Sequence, residues 1–367
     1  MKIPVYVRIA IFLLILVLTG YLLVKAQVFL ASITLGLLLS ILLLPVAEKF
    51  EKLHVSRLWS AAFTVTILAV SISLIIYFIS AELLEISDGL DQMTDNVENL
   101  DENIENIVYQ RLGIEPEQQN LLVNKVINQF LQNSSQFLSK TVSTTANIVT
   151  GLIFIPFCIF FFLYYRFFLK KHLYRAVSSG YKNSYSKIMH SIRYKISSYL
   201  SGLVIVISII AVLDISALLI IGIKYPVFWG TVAALLTIIP YVGVFIGSAM
   251  PIMFAFFTTD SLFYPIAIFF SFWLIQIIEG NLITPNIVGD KVELNPFVII
   301  IAIFIGGSLW GPVGMVLAVP YIAILKVIME NIDSLYPYSK FLGMPEYAVD
   351  DKKLIRKIKK KLSAKNQ

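Results

Sequence analysis

Five stretches of this chain, at about 7–25, 28–47, 58–80, 145–168 and 197–222, run for some twenty residues with almost no charge. A helix needs about 20 apolar residues to cross the hydrocarbon core of a bilayer. The excess is general: 58% of the 367 residues are hydrophobic and 14% are charged. A soluble domain has about 45–50% and about 25%, and no core of this size hides so much apolar surface. The chain is therefore a polytopic all-α membrane protein. Cys158 stands alone, which excludes a disulfide framework or a thiolate metal site. His54, His172 and His190 lie outside the apolar runs, so neither a metal nor a cofactor is expected.

Charge placement sets the expected orientation. Between Ala81 and Ser143 stand 11 acids and three bases, whereas Lys170–Lys195 holds seven Lys or Arg and no acid. Lys and Arg near span ends mark the cytoplasmic side. That puts the 170–195 segment, the Lys49, Lys52 and Arg57 loop and the basic tail inside, and the acidic segment outside. The first run follows Lys2 and Arg8 and lacks an A-x-A cleavage site, so it is expected to be an uncleaved span. Both termini are then cytoplasmic, in the inner cell membrane.

The acidic segment carries a stripe at Ile86, Leu90, Met93, Val97, Leu100, Ile104 and Ile107, spaced by four and three. This heptad spacing describes a helix packing one narrow seam. After Gly113 and Pro116 a second pattern runs through Leu122, Val126, Phe130 and Phe137. An extracytoplasmic helical hairpin is expected, or two helices packing on neighbouring subunits. No residue in it supports ligand binding, so a capping spacer is the plain alternative. The expected divisions are N-terminal spans 1–80, this arm 81–143, the fourth span and basic segment 144–199, a transport core 200–330, and a tail 331–367.

From Gly222 to Pro320 lie 10 of 18 glycines and 8 of 14 prolines. Broken backbone at membrane depth must be buried in protein or line a watery cavity. Blocks 226–258 and 297–329 are each too long for one upright span and too short for two. Their middles hold Pro240, Gly243, Gly247 and Pro251 in the first, and Gly306, Gly307, Gly311, Pro312, Gly314 and Pro320 in the second. Two re-entrant hairpins are expected, around a plain span at 264–283, for about seven to eight helical segments in all. Paired interrupted segments are the best sequence pointer to a transport site.

Ionisable groups inside a membrane are costly and are functional candidates by default. Asp214 lies within the fifth span, as a buried neutral carboxyl or a group paired with a neighbour. Lys326 is expected to snorkel to the interface. Glu279 stands at an apparent helix end beside Gly280 and Asn281, with Thr284, Pro285 and Asn286 behind it and Gln276 one turn earlier. A carboxylate with amides and a hydroxyl at a broken turn suits a cation, a proton or a polyol. Amides that only cap helix ends are the alternative. The tail DDKKLIRKIKKKL, with Leu354, Ile355, Ile358 and Leu362 on one side, suits anionic lipid better than nucleic acid. No phosphate loop, nucleophile elbow or HExxH is present, so no enzyme is expected.

In IPYVG at Ile239–Gly243, EGNLITPNIVG at Glu279–Gly289, LNPF at Leu294–Phe297 and GGSLWGPVGMVLAVP at Gly306–Pro320, the chain resembles the autoinducer-2 exporter (AI-2E) family. The resemblance implies seven or eight spans, a homo-oligomer, suggested to be a pentamer, and export of a small polar solute such as autoinducer-2. Other members are associated with sodium–proton exchange, so the substrate stays open. Glu279–Asn281, Pro240, Pro285 and Pro320 match the family's motif positions. Asn295 stands where many members have histidine, so a proton step there is not expected of this chain. A secondary transporter is the leading expectation. A sodium/proton antiporter, a passive oligomeric channel and a membrane scaffold are the alternatives.

Overall fold

The computed structural model describes residues 4–98, 145–259, 261–288 and 294–344. All regular structure in them is helical. Helix α1 (Val5–Lys25) and α2 (Gln27–Lys52) are joined by Ala26 alone, and no α1 residue is buried. Helix α3 (Arg57–Glu98) has 42 residues. At 1.5 Å per residue that is about 63 Å, twice a hydrocarbon core of about 30 Å. The helix therefore runs on past the apolar stretch into the acidic segment and carries Ile86, Leu90, Met93 and Val97. The rest of the expected arm, and the expected tail beyond residue 344, lie outside the described residues.

Helix α4 (Thr145–Tyr164) stops short of the expected end at 168, and α5 (Arg166–Ala176) leaves it at 69°. The bend falls at Tyr165, where Arg166 pairs with Glu51 and donates to the Leu163 carbonyl at 3.3 Å. Phe167 sits under two guanidinium groups, Arg57 at 4.3 Å and Arg166 at 4.7 Å. Beyond a short 3-10 turn, α6 (Lys182–Ile221) has 40 residues. The basic segment is thus helical on both sides of that turn.

The next elements are α7 (Pro226–Leu236), α8 (Val242–Thr258), α9 (Phe263–Ile278), a π-helical turn (Glu279–Ile283) and α10 (Thr284–Ile287). Then come α11 (Pro296–Glu330) and α12 (Tyr336–Leu342). Among the described residues six helices are long and apolar enough to cross a membrane, or seven if α4 and α5 form one bent span. Helices α7 and α8, with 11 and 17 residues, are each too short to cross upright.

Both glycine-rich blocks fold back on themselves. A Cβ on Gly243 would collide with the Leu236 carbonyl, and one on Gly247 would lie 2.9 Å from the Ala233 oxygen. As one number rises the other falls, so α7 and α8 are antiparallel. In α11 the backbone leaves helical geometry at Trp310 and Gly311, with φ of 60° at Gly311. Across that tip, a Cβ on Gly306 would strike the Gly314 carbonyl. Eight residues of straight helix would hold those two about 12 Å apart. Ala302, Ile303 and Ala318 continue the same contact down the pair. Helix α11 is therefore two antiparallel halves, Pro312 starting the second, where its missing N–H costs nothing.

The chain divides into two compact units, one of 1–62, 154–201 and 288–367, the other of 63–153 and 202–287. The first is built on Leu38, Ile196, Leu294, Leu317, Val319 and Ala323, so the second half of α11 packs on α2 and the start of α6. Lys326 is buried there, contrary to the snorkelling expected of it. Glu330 accounts for this: it pairs with Lys326 at 3.5 Å and with Lys195 at 3.3 Å. The second unit has Phe228, Trp229 and Phe254 at its centre, with ring centroids 4.8 Å and 5.0 Å apart.

Candidate functional site

Helix α9 turns Pro265, Ile268, Phe272 and Ile275 inward at spacings of three and four. Its opposite face, with Phe269, Phe270, Trp273 and Leu274, is exposed apolar surface of the kind a bilayer covers. Gln276 and Glu279 follow on the edge of the inward stripe, both half-buried. Gln276 Nε2 donates to Glu279 Oε2 at 2.6 Å. The Thr284 hydroxyl donates to Glu279 Oε1. Each carboxylate oxygen thus has its own neutral donor, with no cation among the described groups paired to it.

The backbone makes this possible. Residues three apart share a face of an α-helix, which suffices for Gln276 and Glu279. Residues five apart, like Glu279 and Thr284, stand about 140° apart at 100° per residue. The π turn, with the Thr284 N–H bonded to the Glu279 carbonyl, takes up the extra residue and returns Thr284 to the carboxylate. Pro285 gives the cause. It has no N–H for the Asn281 carbonyl, and its ring would clash there in a regular helix.

This corrects the expected helix end at Glu279: the chain stays helical to Ile287, and a bulge replaces the break. Asn281 turns away from Glu279, its Nδ2 donating to the Ile277 carbonyl one turn back at 2.9 Å. Asn286 and Pro285 are exposed. Of the six polar residues expected at the site, the structure joins Gln276, Glu279 and Thr284 by hydrogen bonds.

Asp214 sits on the buried stripe of α6, in step with Val206, Ile210 and Leu218, and is 4% exposed. No hydrogen bond or ion pair to it is seen among the described residues. Beside it α7 comes in backbone to backbone, since a Cβ on Gly230 would lie 2.7 Å from the Ile215 nitrogen.

The backbone positions fall at the folded-back pairs. Pro240 leads a γ-turn, its carbonyl accepting from the Val242 N–H at 2.8 Å around Tyr241, whose φ is 65° and ψ −58°. This hand of γ-turn is rare and strained. Pro251 and Pro320 are fully buried, and Gly311 and Gly314 form the tip of the second pair. Asn295 caps α11, its Oδ1 accepting from the Phe297 N–H at 3.0 Å.

Two residues that sequence patterns did not single out hold these pairs. The Phe228 N–H, in the first turn of α7, donates to Glu82 Oε2 at 2.6 Å, an anion at a helix N-terminus. At the α11 tip, Trp310 Nε1 donates to the Leu23 carbonyl at 3.0 Å, one of the carbonyls left open at the end of α1. Neither follows from local spacing, because each links residues far apart in the chain.

Residues 9–334 match the AI-2E family transporter pattern. Over 217 residues the chain is 28% identical to Putative transport protein YrrI of Bacillus subtilis (strain 168), covering 58% of this chain and 61% of that protein. It is 29% identical over 219 residues to YueF of the same strain, covering 57% of this chain and 58% of that protein. AI-2 transport protein TqsA of Escherichia coli (strain K12) is 28% identical over 109 residues, 30% of this chain and 31% of TqsA. The chain thus spans about three fifths of the first two relatives.

Proposed function

The chain belongs to the AI-2E transporter family, and on that premise we propose that it is a secondary transporter that exports a small polar solute through the Glu279 region. The observation that carries this is the Glu279 carboxylate, held inside an apolar span by Gln276 and Thr284 at a π turn. Such bulges recur at functional sites, and a carboxylate placed there is costly unless used. Hydroxyls of a solute, or a sodium ion or proton, replace or join the two neutral donors. The folded-back pairs are re-entrant in this reading, and Pro240, Gly243, Pro251, Pro285, Gly311, Gly314 and Pro320 supply the turns and breaks of the backbone. Both termini are cytoplasmic and the membrane is the inner cell membrane. By family likeness the assembly is a homo-oligomer, a pentamer, whose mass in detergent checks the number.

Autoinducer-2 is the first solute to try, because TqsA is named for it. Proteoliposomes holding wild type or Glu279→Gln are loaded with autoinducer-2, and efflux is followed with and without sodium and proton gradients. Wild type should exceed empty liposomes, and Glu279→Gln should lose most of the flux at unchanged protein content. Equal flux in the variant would remove Glu279 from the path. Flux no greater than in empty liposomes, for autoinducer-2 and for sodium alike, would end the transport reading.

A further inference from the structure

Within the first unit a cavity of about 230 Å³ opens between α2 and the start of α6, at the end richest in basic residues. From α6 it is lined by His190, Arg193, Ser197 and Ser198, from α2 by Ile41 and Pro45, and Tyr194 completes the wall. The polar lining can donate five ways or more: a guanidinium, an imidazole, two hydroxyls and a phenol. An acceptor is also present. Pro45 lies inside α2 and has no N–H for the carbonyl four residues back, which is that of Ile41, on the same wall.

The charge balance favours an anion. The two nearby acids are already engaged, Glu48 with Arg193 at 2.7 Å and Glu51 with Arg166. Glu48 occupies part of one guanidinium that carries five N–H donors. Lys49, four residues past Pro45, and Lys187, three before His190, have no acidic partner among the described residues. A basic pocket between spans near the membrane surface suits a lipid phosphate. The apolar side chains of Ile41 and Pro45 suit the start of its acyl chains.

We propose that this cavity binds the headgroup of an anionic glycerophospholipid, with the phosphodiester on Arg193, Ser197 and Ser198 and a headgroup hydroxyl on the Ile41 carbonyl. It is a site separate from the Glu279 cluster, and it stands or falls independently of the transported solute.

The full chain, purified in neutral detergent, is examined by native mass spectrometry against phosphatidylglycerol, phosphatidylcholine and glycerol 1-phosphate. Phosphatidylglycerol should bind about tenfold or more tightly than phosphatidylcholine, the worth of a charge-assisted bond or two. Ser197→Ala/Ser198→Ala, which keeps good helix formers, and Arg193→Gln should each lower that affinity by about fivefold or more. Lys170→Gln/Lys171→Gln on α5 should leave it unchanged. Wild-type affinity in both cavity variants overturns the proposal, as does a loss confined to the α5 variant, which signals adsorption to the basic surface. Equal affinity for glycerol 1-phosphate overturns the lipid assignment in favour of a soluble phosphate ester. Should Arg193→Gln fail to fold, the serine pair decides.

Discussion

The α7–α8 pair turns through Thr237–Tyr241, whereas the two halves of α11 turn through Trp310 and Gly311 alone. The first places tyrosines where backbone torsions favour glycine, with φ of 60° at Tyr225 and 65° at Tyr241. The second gives its one such tip position to glycine, Gly311 at φ 60°. At the contact, too, they differ. In α11 glycine faces glycine, Gly306 on Gly314, while in the first pair glycines face Leu236 and Ala233. The α11 pair is relaxed at its tip and closed along its length, and the buried Leu317, Val319 and Ala323 fasten it into a core. The α7–α8 pair holds strain at the tip and depends on a carboxylate from α3 at its base. Strained backbone persists where surrounding structure enforces it and concentrates at switching regions. If one pair moves during a working cycle, the α7–α8 pair is the better equipped to do so.

The comparison breaks most readily at Gly306. Gly306→Val drives a side chain into the Gly314 peptide and should cost about 3 kcal/mol or more, seen as a lower melting temperature in detergent. A variant that melts like wild type would show that the halves of α11 are not in backbone contact. Next is Glu82→Ala, which strips the anion from the start of α7 and should cost about 2 kcal/mol. Amide hydrogen exchange should quicken at Phe228 and its neighbours while α11 stays protected. Uniform quickening in both pairs would refute a local clasp.

At the tips the two pairs should respond with opposite signs. Gly311→Ala forces a Cβ into positive φ and should destabilise by about 1–2 kcal/mol. Tyr241→Gly relieves the γ-turn and should be neutral to stabilising by about 1 kcal/mol. Denaturation midpoints that shift the same way for both would erase the contrast. The smallest effect belongs to Trp310→Phe, which keeps the ring and loses the bond to the Leu23 carbonyl, at about 1 kcal/mol. Faster exchange at the end of α1 would report it.

Hydropathy made the spans legible, because a run of twenty apolar side chains has few other fates. It also placed the folded-back blocks: 226–258 and 297–329 nearly coincide with α7–α8 and α11. Breaker density located the turns, as glycine and proline act on the residues beside them. The Gln276–Glu279 bond was readable from helical spacing. The link to Thr284 was not, because α-periodicity sends position 284 to another face and only the π turn returns it. Asn281 looked equivalent to its neighbours in sequence, yet its amide serves the backbone. Glu82, Trp310 and the buried Lys326 were illegible, since their partners lie in distant segments or in a network that local pattern does not encode.

The π turn also changes how changes in this segment should be weighed. Phase along α9 is set by residue count, and the bulge adds one step between Glu279 and Thr284. Substituting Leu282 or Ile283 leaves that phase intact, whereas inserting one more residue beside Gly280 swings the threonine about 100° off the carboxylate. Infrared difference spectra of the Glu279 carboxylate would separate the two outcomes, shifting for the insertion and holding for the substitutions. Near Glu279, the chain's length is therefore as strict a constraint as its chemistry.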